Sequence, residues 1–396
     1  MKHRIVVLGA GYAGATAAGR LAKRLHRDDV EIIVVNADPE FVERVRLHQL
    51  AAGQDLPARR LDQIFANSGV QVRIAWVTAV DTDSQIVTVT DDNGAQTLGY
   101  DTLVYALGST IADYGVPGVA EYAHNVAGKP AALRLRARLN ELGEGAQVLI
   151  AGAGLTGIEV AAEIAEARPD LDVAIAARGG VGDWLDEKAR RYLLGAFDRL
   201  GITIHEGTDI ARVDAHGVTT AAGAFIPAEM TVWTAGFTAH PLAQATTLEL
   251  SDTGRIVVDA TQRSVSHPNV YAIGDAAHAI GVGGKALRMG CAVASPMAWL
   301  GADAIAARLT GRAVPDAPIG YQSQFISLGR RDGIRQVVTP EDQPTEKVVT
   351  GRKGARFKEL ICSIAAWCVV HPTMLKPSRR RHLVPAAAAE NTAPGS

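Results

Sequence analysis

The glycine-rich pattern GxGxxG occurs twice in the chain, at residues 9–14 (GAGYAG) and 152–157 (GAGLTG). Each copy follows an apolar, β-branched run, 4–8 or 147–151, and opens onto an alanine-rich stretch. In this context the first glycine allows a tight turn, the second lets the backbone approach a pyrophosphate, and the third lets helix and strand pack closely. One such turn also serves structural ends, but two in matching context indicate two dinucleotides, most simply a flavin and a nicotinamide exchanging a hydride.

The composition of the 396 residues is that of an ordinary globular protein, with 47% hydrophobic residues and a net charge of −2. This length predicts roughly two or three domains, and the charge gives no indication of a nucleic-acid partner. No run reaches the ~18 apolar residues of a membrane span, and the N-terminus leads into a strand rather than a signal peptide. Three cysteines, Cys291, Cys362 and Cys368, provide neither a disulfide framework nor metal-ligand spacing. We therefore expect no metal and a reducing, cytoplasmic location.

Alternating strand and helix patterns between residues 4 and 309 predict a doubly wound α/β architecture. The expected helices are 13–25, 158–166, 188–200 and 291–308. The expected parallel strands are 31–35, 102–108, 172–176, 202–205 and 230–233, with antiparallel strands at 70–76 and 86–90. Short strands are expected after residue 321, followed by an apolar helix at 357–370.

Four segments carry a family resemblance: GAGYAG (9–14), VYALGS (104–109), GAGLTGIEVAAEIAE (152–166) and NVYAIGDAA (269–277). In these segments and their order the chain resembles the two-dinucleotide-binding-domain flavoproteins, and is most similar to their type II NADH dehydrogenase and ferredoxin-reductase-like branch. The resemblance implies two Rossmann-like domains, one inserted in the other, and a small α+β C-terminal region. The implied domains are FAD-binding at 1–115 and 239–320, NAD(P)H-binding at 116–238, C-terminal at 321–376, and a disordered tail at 377–396.

The resemblance also implies the cofactor-binding residues. The first turn would hold FAD, the second NADH or NADPH, and Asp275 the ribityl-phosphate side of FAD. Taken alone, Asp275 would commonly be the N-cap of the following helix, but together with the other motifs it favours contact with the flavin. The full set comprises Gly9, Gly11, Tyr12, Ala13, Gly14, Asn36, Arg46, Gly108, Gly152, Gly154, Leu155, Thr156, Gly157, Arg178, Gly236, Gly274 and Asp275.

The acid expected to bind a ribose after the second strand is missing from both units. In the first unit Asn36 stands there, with Asp38 two residues on, and an amide still hydrogen-bonds hydroxyls. In the second unit Arg178 stands there, and no acid follows until Asp183, so nothing nearby in sequence repels a phosphate. Arg178 is compatible with pairing to an NADPH 2′-phosphate, with stacking on adenine, or with a simple surface position.

Glu159, in the GxGxxGxE segment, is the candidate catalytic residue. The resemblance implies an acid here near flavin and nicotinamide, where it positions groups or delivers a proton to a reduced quinone. The alternative is a favourable interaction with the helix dipole.

Residues 44–50 lie where disulfide reductases of the superfamily carry a redox cysteine pair, but no cysteine precedes Cys291. Dithiol chemistry is therefore excluded, and sulfide:quinone reduction is disfavoured. Arg46 or His48 would instead approach the flavin, or the segment forms a charged surface helix. The stretch 287–296, where the resemblance implies quinone contacts, lacks the family's glutamines, and Cys291 is expected to be a small buried residue.

The function implied is an FAD-dependent oxidoreductase that takes a hydride from NAD(P)H onto flavin N5 and passes electrons to a quinone-like acceptor. The alternatives are a tailoring oxidoreductase for a quinonoid natural product and a flavin redox sensor of the apoptosis-inducing-factor type. The apolar stretch 360–370 and the basic residues 379–381 either attach peripherally to the inner face of a membrane or pack on the FAD domain. The sequence does not decide whether the protein forms a homodimer.

Overall fold

The computed structural model describes residues 1–376 and 379–385. A first parallel sheet contains, in spatial order, Val270–Ala272, Thr102–Tyr105, His3–Leu8, Val30–Asn36 and Val70–Ile74. The expectation of an antiparallel strand at 70–76 is wrong, because Val70–Ile74 pairs parallel to Val30–Asn36 as the edge of this sheet. The chain turns at Ala75, and the antiparallel pairing begins only with Trp76.

A second parallel sheet contains, in spatial order, Thr203–His205, Asp172–Ala176, Gln147–Ala151, Met230–Trp233 and Ala123–His124. Its central strand precedes the second glycine turn, as the central strand of the first sheet precedes the first turn. The inner strands Gln147–Ala151 and Met230–Trp233 are largely apolar and almost wholly buried, which is typical of parallel sheets covered on both faces. The edge strands Thr203–His205 and Ala123–His124 are partly exposed.

Two chain crossings join the sheets. Ser109–Ile111 leaves the first sheet and Phe237–Ala239 returns to it, and the two segments pair antiparallel with Ser109 opposite Ala239. The second sheet is thus inserted between two neighbouring strands of the first, Thr102–Tyr105 and Val270–Ala272. This topology confirms the predicted fold class.

The described α-helices are α1 (Tyr12–Arg24), α2 (Leu47–Ala51), α3 (Leu61–Ile64), α4 (Val119–Tyr122), α5 (Lys129–Glu141), α6 (Leu155–Ala167), α7 (Glu187–Arg199), α8 (Cys291–Leu309) and α9 (Gly351–Val370). The helices α1, α6, α7 and α8 lie close to their predicted positions, α9 begins before the predicted residue 357, and α3, α4 and α5 were not predicted. Short 3-10 helices are Arg44–Arg46, Pro241–Ala245, Gly274–Ala276 and Val282–Gly284.

The remaining strands form small sheets around this framework. They are Trp76–Asp81 with Ile86–Asp91 and Gly94–Gly99, Ile210–Asp214 with Gly217–Thr220 and Phe225–Pro227, and Ile256–Val257 with Ala277–His278. The C-terminal sheet is Ser323–Ser327, Gly333–Val338 and Pro344–Thr350, all antiparallel.

The packing of the helices follows from small residues and one partly buried charge pair. The alanine-rich helix α1 is almost completely buried between the first sheet and α8. Arg20 on α1 donates two hydrogen bonds to the Asp303 carboxylate on α8, at 2.8 and 2.6 Å. Gly354 lets α9 approach the C-terminal sheet, because a Cβ there would lie 2.1 Å from the Gly333 carbonyl oxygen. These contacts place α9 beside both units.

Residues 379–385 depart from the predicted disordered tail. The backbone of Arg381 donates to the Arg24 carbonyl at 2.9 Å and accepts from the His26 N–H at 2.8 Å. The His382 ring stacks on His26 and hydrogen-bonds the Asp29 carboxylate at 2.9 Å. This segment is ordered because it pairs with the end of α1. Residues 377–378 and 386–396 of the predicted tail lie outside the described residues.

Candidate active site

The first glycine turn has an open face at its middle position. Gly9 has φ of +91°, which favours glycine, and a Cβ on Gly14 would lie 1.9 Å from the Gly9 carbonyl oxygen. A Cβ on Gly11 would meet no atom within 4 Å. Because Gly11 is the N-cap of α1 and no side chain caps it, the helix N–H groups are free to receive an anion.

The second turn repeats this geometry. Gly152 has φ of +108°, a Cβ on Gly157 would lie 1.9 Å from the Gly152 carbonyl oxygen, and a Cβ on Gly154 would meet nothing within 4 Å. Gly154 is the uncapped N-cap of α6. Both turns therefore fit a pyrophosphate, with the three glycines in the roles that the pattern predicts. Leu155 and Thr156 form the first turn of α6, as Tyr12 and Ala13 do in α1.

Asn36 lies beside the first turn. Its Oδ1 accepts a hydrogen bond from the Ala10 N–H at 2.8 Å, and its Nδ2 donates to the Asp38 carbonyl at 2.7 Å. These bonds fix the amide next to the glycine loop, where the ribose contact is predicted. The Asp38 carboxylate instead accepts a hydrogen bond from the Glu40 N–H.

Arg178 is exposed at the end of the strand Asp172–Ala176. Two acids border the glycines that follow it. A Cβ on Gly179 would lie 3.0 Å from an Asp183 carboxylate oxygen, and a Cβ on Gly180 would lie 3.5 Å from Glu206 Oε1. Glu206 reaches this turn from the end of the next strand, where it pairs at 3.2 Å with Arg190, whose guanidinium would lie 3.0 Å from the Cβ on Gly180. Charges of both signs therefore border the turn, and a contact of Arg178 with the 2′ substituent stays a prediction.

Asp275 joins the two parts of the first unit. Its Oδ2 accepts from the Ser109 hydroxyl at 2.6 Å and its Oδ1 from the Gly290 N–H at 2.8 Å. Asp275 is not the N-cap of α8, because that position is Gly290. Gly274 before it has φ of +67°.

Arg44 reaches this place, and the sequence argument missed it. Its Nη1 would lie 3.3 Å from a Cβ on Gly108, and its Nη2 donates to the Ser109 hydroxyl at 3.4 Å. The guanidinium also lies 5.9 Å from the centre of the Phe237 ring, next to Gly236. Arg44 thus lies next to Gly108, to the Phe237 ring and to Ser109, the residue that binds Asp275. A cation in this place suits a phosphate-bearing ligand.

Arg46, two residues after Arg44, forms ion pairs with acidic side chains instead. Its guanidinium pairs with Glu43 at 3.1 Å and with Glu359 of α9 at 2.5 Å. The surface-helix alternative for this segment is wrong, because every residue of α2 is buried. Contact of Arg46 with a cofactor remains a prediction.

A buried polar cluster surrounds Glu159, and we call His48, Glu159, Ser327 and Lys358 the Glu159 cluster. The Lys358 ammonium lies 2.8 Å from Glu159 Oε1, which also accepts from the Ser327 N–H at 2.9 Å. His48 Nδ1 lies 3.7 Å from Glu159 Oε2. The dipole alternative for Glu159 is insufficient, since its carboxylate has these specific partners.

The protonation states in the Glu159 cluster follow from burial and from the carboxylate. Burial lowers the pKa of His48 to about 4, so its imidazole is neutral at pH 7. Burial also opposes the charge on Lys358, but the Glu159 carboxylate raises the Lys358 pKa above its ordinary value, so the ammonium persists. Sequence reasoning missed Lys358, because it is one of four cations in the first half of α9 and only the packing of that helix buries it.

Ten buried side-chain polar atoms within the described residues have no hydrogen-bond partner, and they include Tyr12 Oη at the start of α1 and His48 Nε2 in the Glu159 cluster. Buried polar groups are normally paired, so each of these two atoms is available to a ligand that supplies a polar partner. Burial raises the pKa of the Cys291 thiol to about 12, which keeps it neutral. Cys291 packs against the core but is only partly buried, so the expectation of a small buried residue is met in part.

Comparison with known proteins identifies the family. A model described as pyridine nucleotide-disulphide oxidoreductase matches residues 3–298. The chain belongs to this family. An NADH dehydrogenase-like protein of Mycobacterium tuberculosis is 34% identical over 303 residues, which cover 70% of this chain and 73% of the relative. Demethylphylloquinone reductase NdbB of Synechocystis is 28% identical over 345 residues, covering 83% of this chain and 85% of that protein.

Among solved structures, NDH2 of Plasmodium falciparum in complex with NADH matches with a TM-score of 0.78 and 14% identity, covering 96% of this chain and 99% of that one. This likeness concerns the fold. The resemblance stated from the sequence is confirmed. This member of the pyridine nucleotide-disulphide oxidoreductase family is an NADH dehydrogenase-like flavoprotein oxidoreductase, with the predicted cofactors FAD and NADH or NADPH. Within the described residues, no helix is long and apolar enough to cross a bilayer.

Proposed function

We propose that this flavoprotein passes the electrons of NAD(P)H to a quinone-like acceptor. The buried pair of Lys358 and Glu159 carries this proposal. Reduction of a quinone places negative charge on its oxygen, and a buried ammonium stabilises such charge far better than a solvated one. The pair joins α6, which begins at the second glycine turn, to α9. Glu159, which the sequence predicts as the catalytic residue, is part of this proposal.

Each part of the chain has a task in this reaction. When bound, FAD supplies a ring that accepts a hydride and releases two electrons. The open turn at Gly11 with Arg44 would hold its pyrophosphate, and Asp275 its ribityl side. The turn at Gly154 would hold the nicotinamide dinucleotide. Lys358 would face the acceptor oxygen, and Glu159 would keep the ammonium oriented. The domain boundaries predicted from the sequence remain part of this proposal.

A second candidate acceptor is an anionic quinonoid compound. A cavity of about 310 Å³ is lined by Phe237, Thr253, Arg255, Ala286, Leu287, Arg288 and Met289. The Arg255 side chain is buried, and its guanidinium donates to the Leu287 carbonyl at 2.7 Å and to the Thr253 hydroxyl at 3.1 Å. Within the described residues it has no carboxylate at ion-pair distance. A planar anion would satisfy this charge, which favours the tailoring alternative over a neutral quinone.

Steady-state oxidation of NADH with a panel of acceptors tests both candidates. The panel contains neutral benzoquinones and naphthoquinones, a carboxylated naphthoquinone, and dioxygen alone. We expect turnover with quinones, and Lys358→Met should lower the rate of quinone reduction about 100-fold while flavin reduction by NADH changes little. Turnover with every quinone no faster than with dioxygen would overturn the enzyme proposal in favour of the redox-sensor alternative. Preference for the carboxylated compound, abolished in Arg255→Gln, would support the anionic acceptor.

The exposed face of α9 supports peripheral membrane contact. Cys362, Ala366 and Val369 are buried, so the helix does pack on the protein. Its opposite face exposes Leu360, Ile361, Ile364, Trp367 and Val370, with exposed Arg352, Lys353 and Arg356 one to two turns earlier. Apolar side chains beside cations suit an anionic bilayer surface.

Vesicle sedimentation tests this contact. We expect the protein to bind vesicles containing phosphatidylglycerol, with a blue shift of tryptophan fluorescence that is lost in Trp367→Phe. Ile364→Glu should abolish binding, whereas Leu133→Glu, at an exposed apolar position of α5, should not. Equal binding of both glutamate variants would exclude α9 as the contact.

A further inference from the structure

Three possible metal ligands meet where α1 ends. His26 and Asp29 follow this helix along the chain, and His382 belongs to the segment 379–385. One ligand atom from each side chain lies within 4.8 Å of the other two. The His382 Nδ1 atom lies 2.9 Å from Asp29 Oδ2, and the His382 ring stacks on the His26 ring with 3.9 Å between their centres. None of the steps described above uses these groups.

Main-chain hydrogen bonds hold these side chains together. The His26 N–H donates to the Arg381 carbonyl oxygen at 2.8 Å, and the Leu383 N–H donates to Asp29 Oδ2 at 2.9 Å. His382 stands between these two anchored residues, so its side chain is held beside His26 and Asp29. Ligands that the fold brings together in advance lower the entropic cost of binding an ion.

The two carboxylates of this group, Asp28 and Asp29, face histidines rather than fixed cations. Asp28 Oδ2 lies 3.5 Å from His26 Nδ1. Within residues 1–376 and 379–385, no arginine or lysine lies at ion-pair distance from either acid. The neighbouring Arg27 directs its guanidinium to the Asn67 carbonyl oxygen, at 3.2 Å. Two carboxylates that face two imidazoles therefore suit the charge of a divalent cation.

The donor set indicates which cation fits. Imidazole nitrogens together with carboxylate oxygens are typical ligands of zinc, whereas calcium and magnesium prefer oxygen ligands alone. Tetrahedral zinc with bonds of about 2.1 Å places its ligand atoms about 3.4 Å apart, somewhat closer than the limit of 4.8 Å observed here. The His382 side chain is 68% exposed, so it is free to turn towards an ion.

We propose that His26, Asp29 and His382 bind a zinc ion, with Asp28 or a water molecule as the fourth ligand. The ion fastens the segment 379–385 to the end of α1. The expectation of no metal rested on the spacing of the cysteines, and this site contains none. Because α1 is 13 residues long and begins at the first glycine turn, the site lies roughly 20 Å from that turn. The zinc is therefore structural and touches no cofactor.

Calorimetric titration of the full chain with zinc chloride tests the site, after dialysis against a chelator and without an affinity tag. We expect one ion per chain and a melting temperature several degrees higher with zinc. His382→Phe keeps an aromatic ring against His26 but no ligand nitrogen, and Asp29→Asn keeps a hydrogen-bond acceptor but no charge. Each should weaken zinc binding more than about 30-fold. His267→Ala is the matched control, because His267 pairs with Asp83 at 3.2 Å, and should bind zinc as wild type does.

Limited proteolysis tests whether the ion fastens the segment. Trypsin cleaves after arginine, and residues 379–381 are all arginines. Zinc should slow cleavage there about ten-fold in wild type and leave the rate unchanged in His382→Phe. A wild-type chain that binds no zinc would overturn the proposal, as would equal zinc affinity in wild type and both ligand variants. Zinc binding without protection of residues 379–381 would refute the fastening of the segment.

Discussion

The Lys358 ammonium lies 2.8 Å from the Glu159 carboxylate, although the two residues are far apart in sequence and both are buried. This contact fastens α9 to α6 and places a cation and an anion away from water. Leaving either charge unpaired is costly, because desolvation of a single ion is far more unfavourable than desolvation of a good pair.

The first prediction concerns this pair. Lys358→Met or Glu159→Gln should each lower the free energy of unfolding, by about 3 kcal/mol for a buried pair broken on one side. The double variant should lose clearly less than the sum, since no charge is left unpaired. Urea unfolding of all four proteins measures this coupling. Additive losses would show that the two side chains do not interact.

The second prediction concerns the two glycine turns. A Cβ at Gly11 or Gly154 meets no protein atom within 4 Å, so valine there should leave the melting temperature of the flavin-free protein nearly unchanged. Gly11→Val should remove bound flavin, because its side chain fills the pyrophosphate position. Gly154→Val should keep the flavin and greatly slow its reduction by NADH. The reverse pattern in absorbance and stopped-flow spectra would mean that the two sites are exchanged.

The third prediction concerns the choice between NADH and NADPH. Glu206 and Asp183 border the glycines that follow Arg178, and a carboxylate there disfavours a 2′-phosphate. We expect faster flavin reduction by NADH than by NADPH. Glu206→Gln should raise the NADPH:NADH ratio about three- to ten-fold, a modest effect because the side chain is partly exposed.

The variant Arg178→Ala tests whether Arg178 selects between NADH and NADPH or only lies on the solvated surface. If Arg178 pairs with a 2′-phosphate, its removal lowers the same ratio, and the effect is worth about 1.5–3 kcal/mol for a charge-assisted hydrogen bond. An NADPH:NADH ratio identical in wild type and Arg178→Ala would assign Arg178 to the solvated surface.

The fourth prediction concerns acid stability. The pKa of His48 is lowered by burial to about 4, from an ordinary value of 6.5. Below about pH 6.5 the unfolded chain binds a proton that the folded chain does not, so stability falls as the pH decreases towards 4. The loss amounts to about 3 kcal/mol at most. His48→Gln should flatten this part of the pH profile in urea unfolding.

His216→Gln, at an exposed histidine in a turn, is the control and should keep the wild-type profile. Equal slopes in wild type and His48→Gln would mean that folding does not lower the pKa of His48.

The sequence by itself determined the nucleotide-binding units. The glycines at 9–14 and 152–157 act through local backbone geometry, so their spacing, with the apolar runs before them, was sufficient to predict strand, turn and helix. The insertion of one unit in the other was implied by the family resemblance of the four segments. The turns themselves depend on neighbours along the chain, and periodicity reports them directly.

Only the tertiary structure decided which charged groups meet. Lys358, Ser327 and His48 reach Glu159 from three separate elements, Glu206 reaches the turn after Arg178 from the next strand, and Arg44 rather than Arg46 lies at Gly108. The edge strand Val70–Ile74 and the ordering of residues 379–385 likewise depended on partners distant in sequence. An ionisable side chain is assigned its role by the dielectric and charges around it, and those are set by packing rather than by sequence spacing.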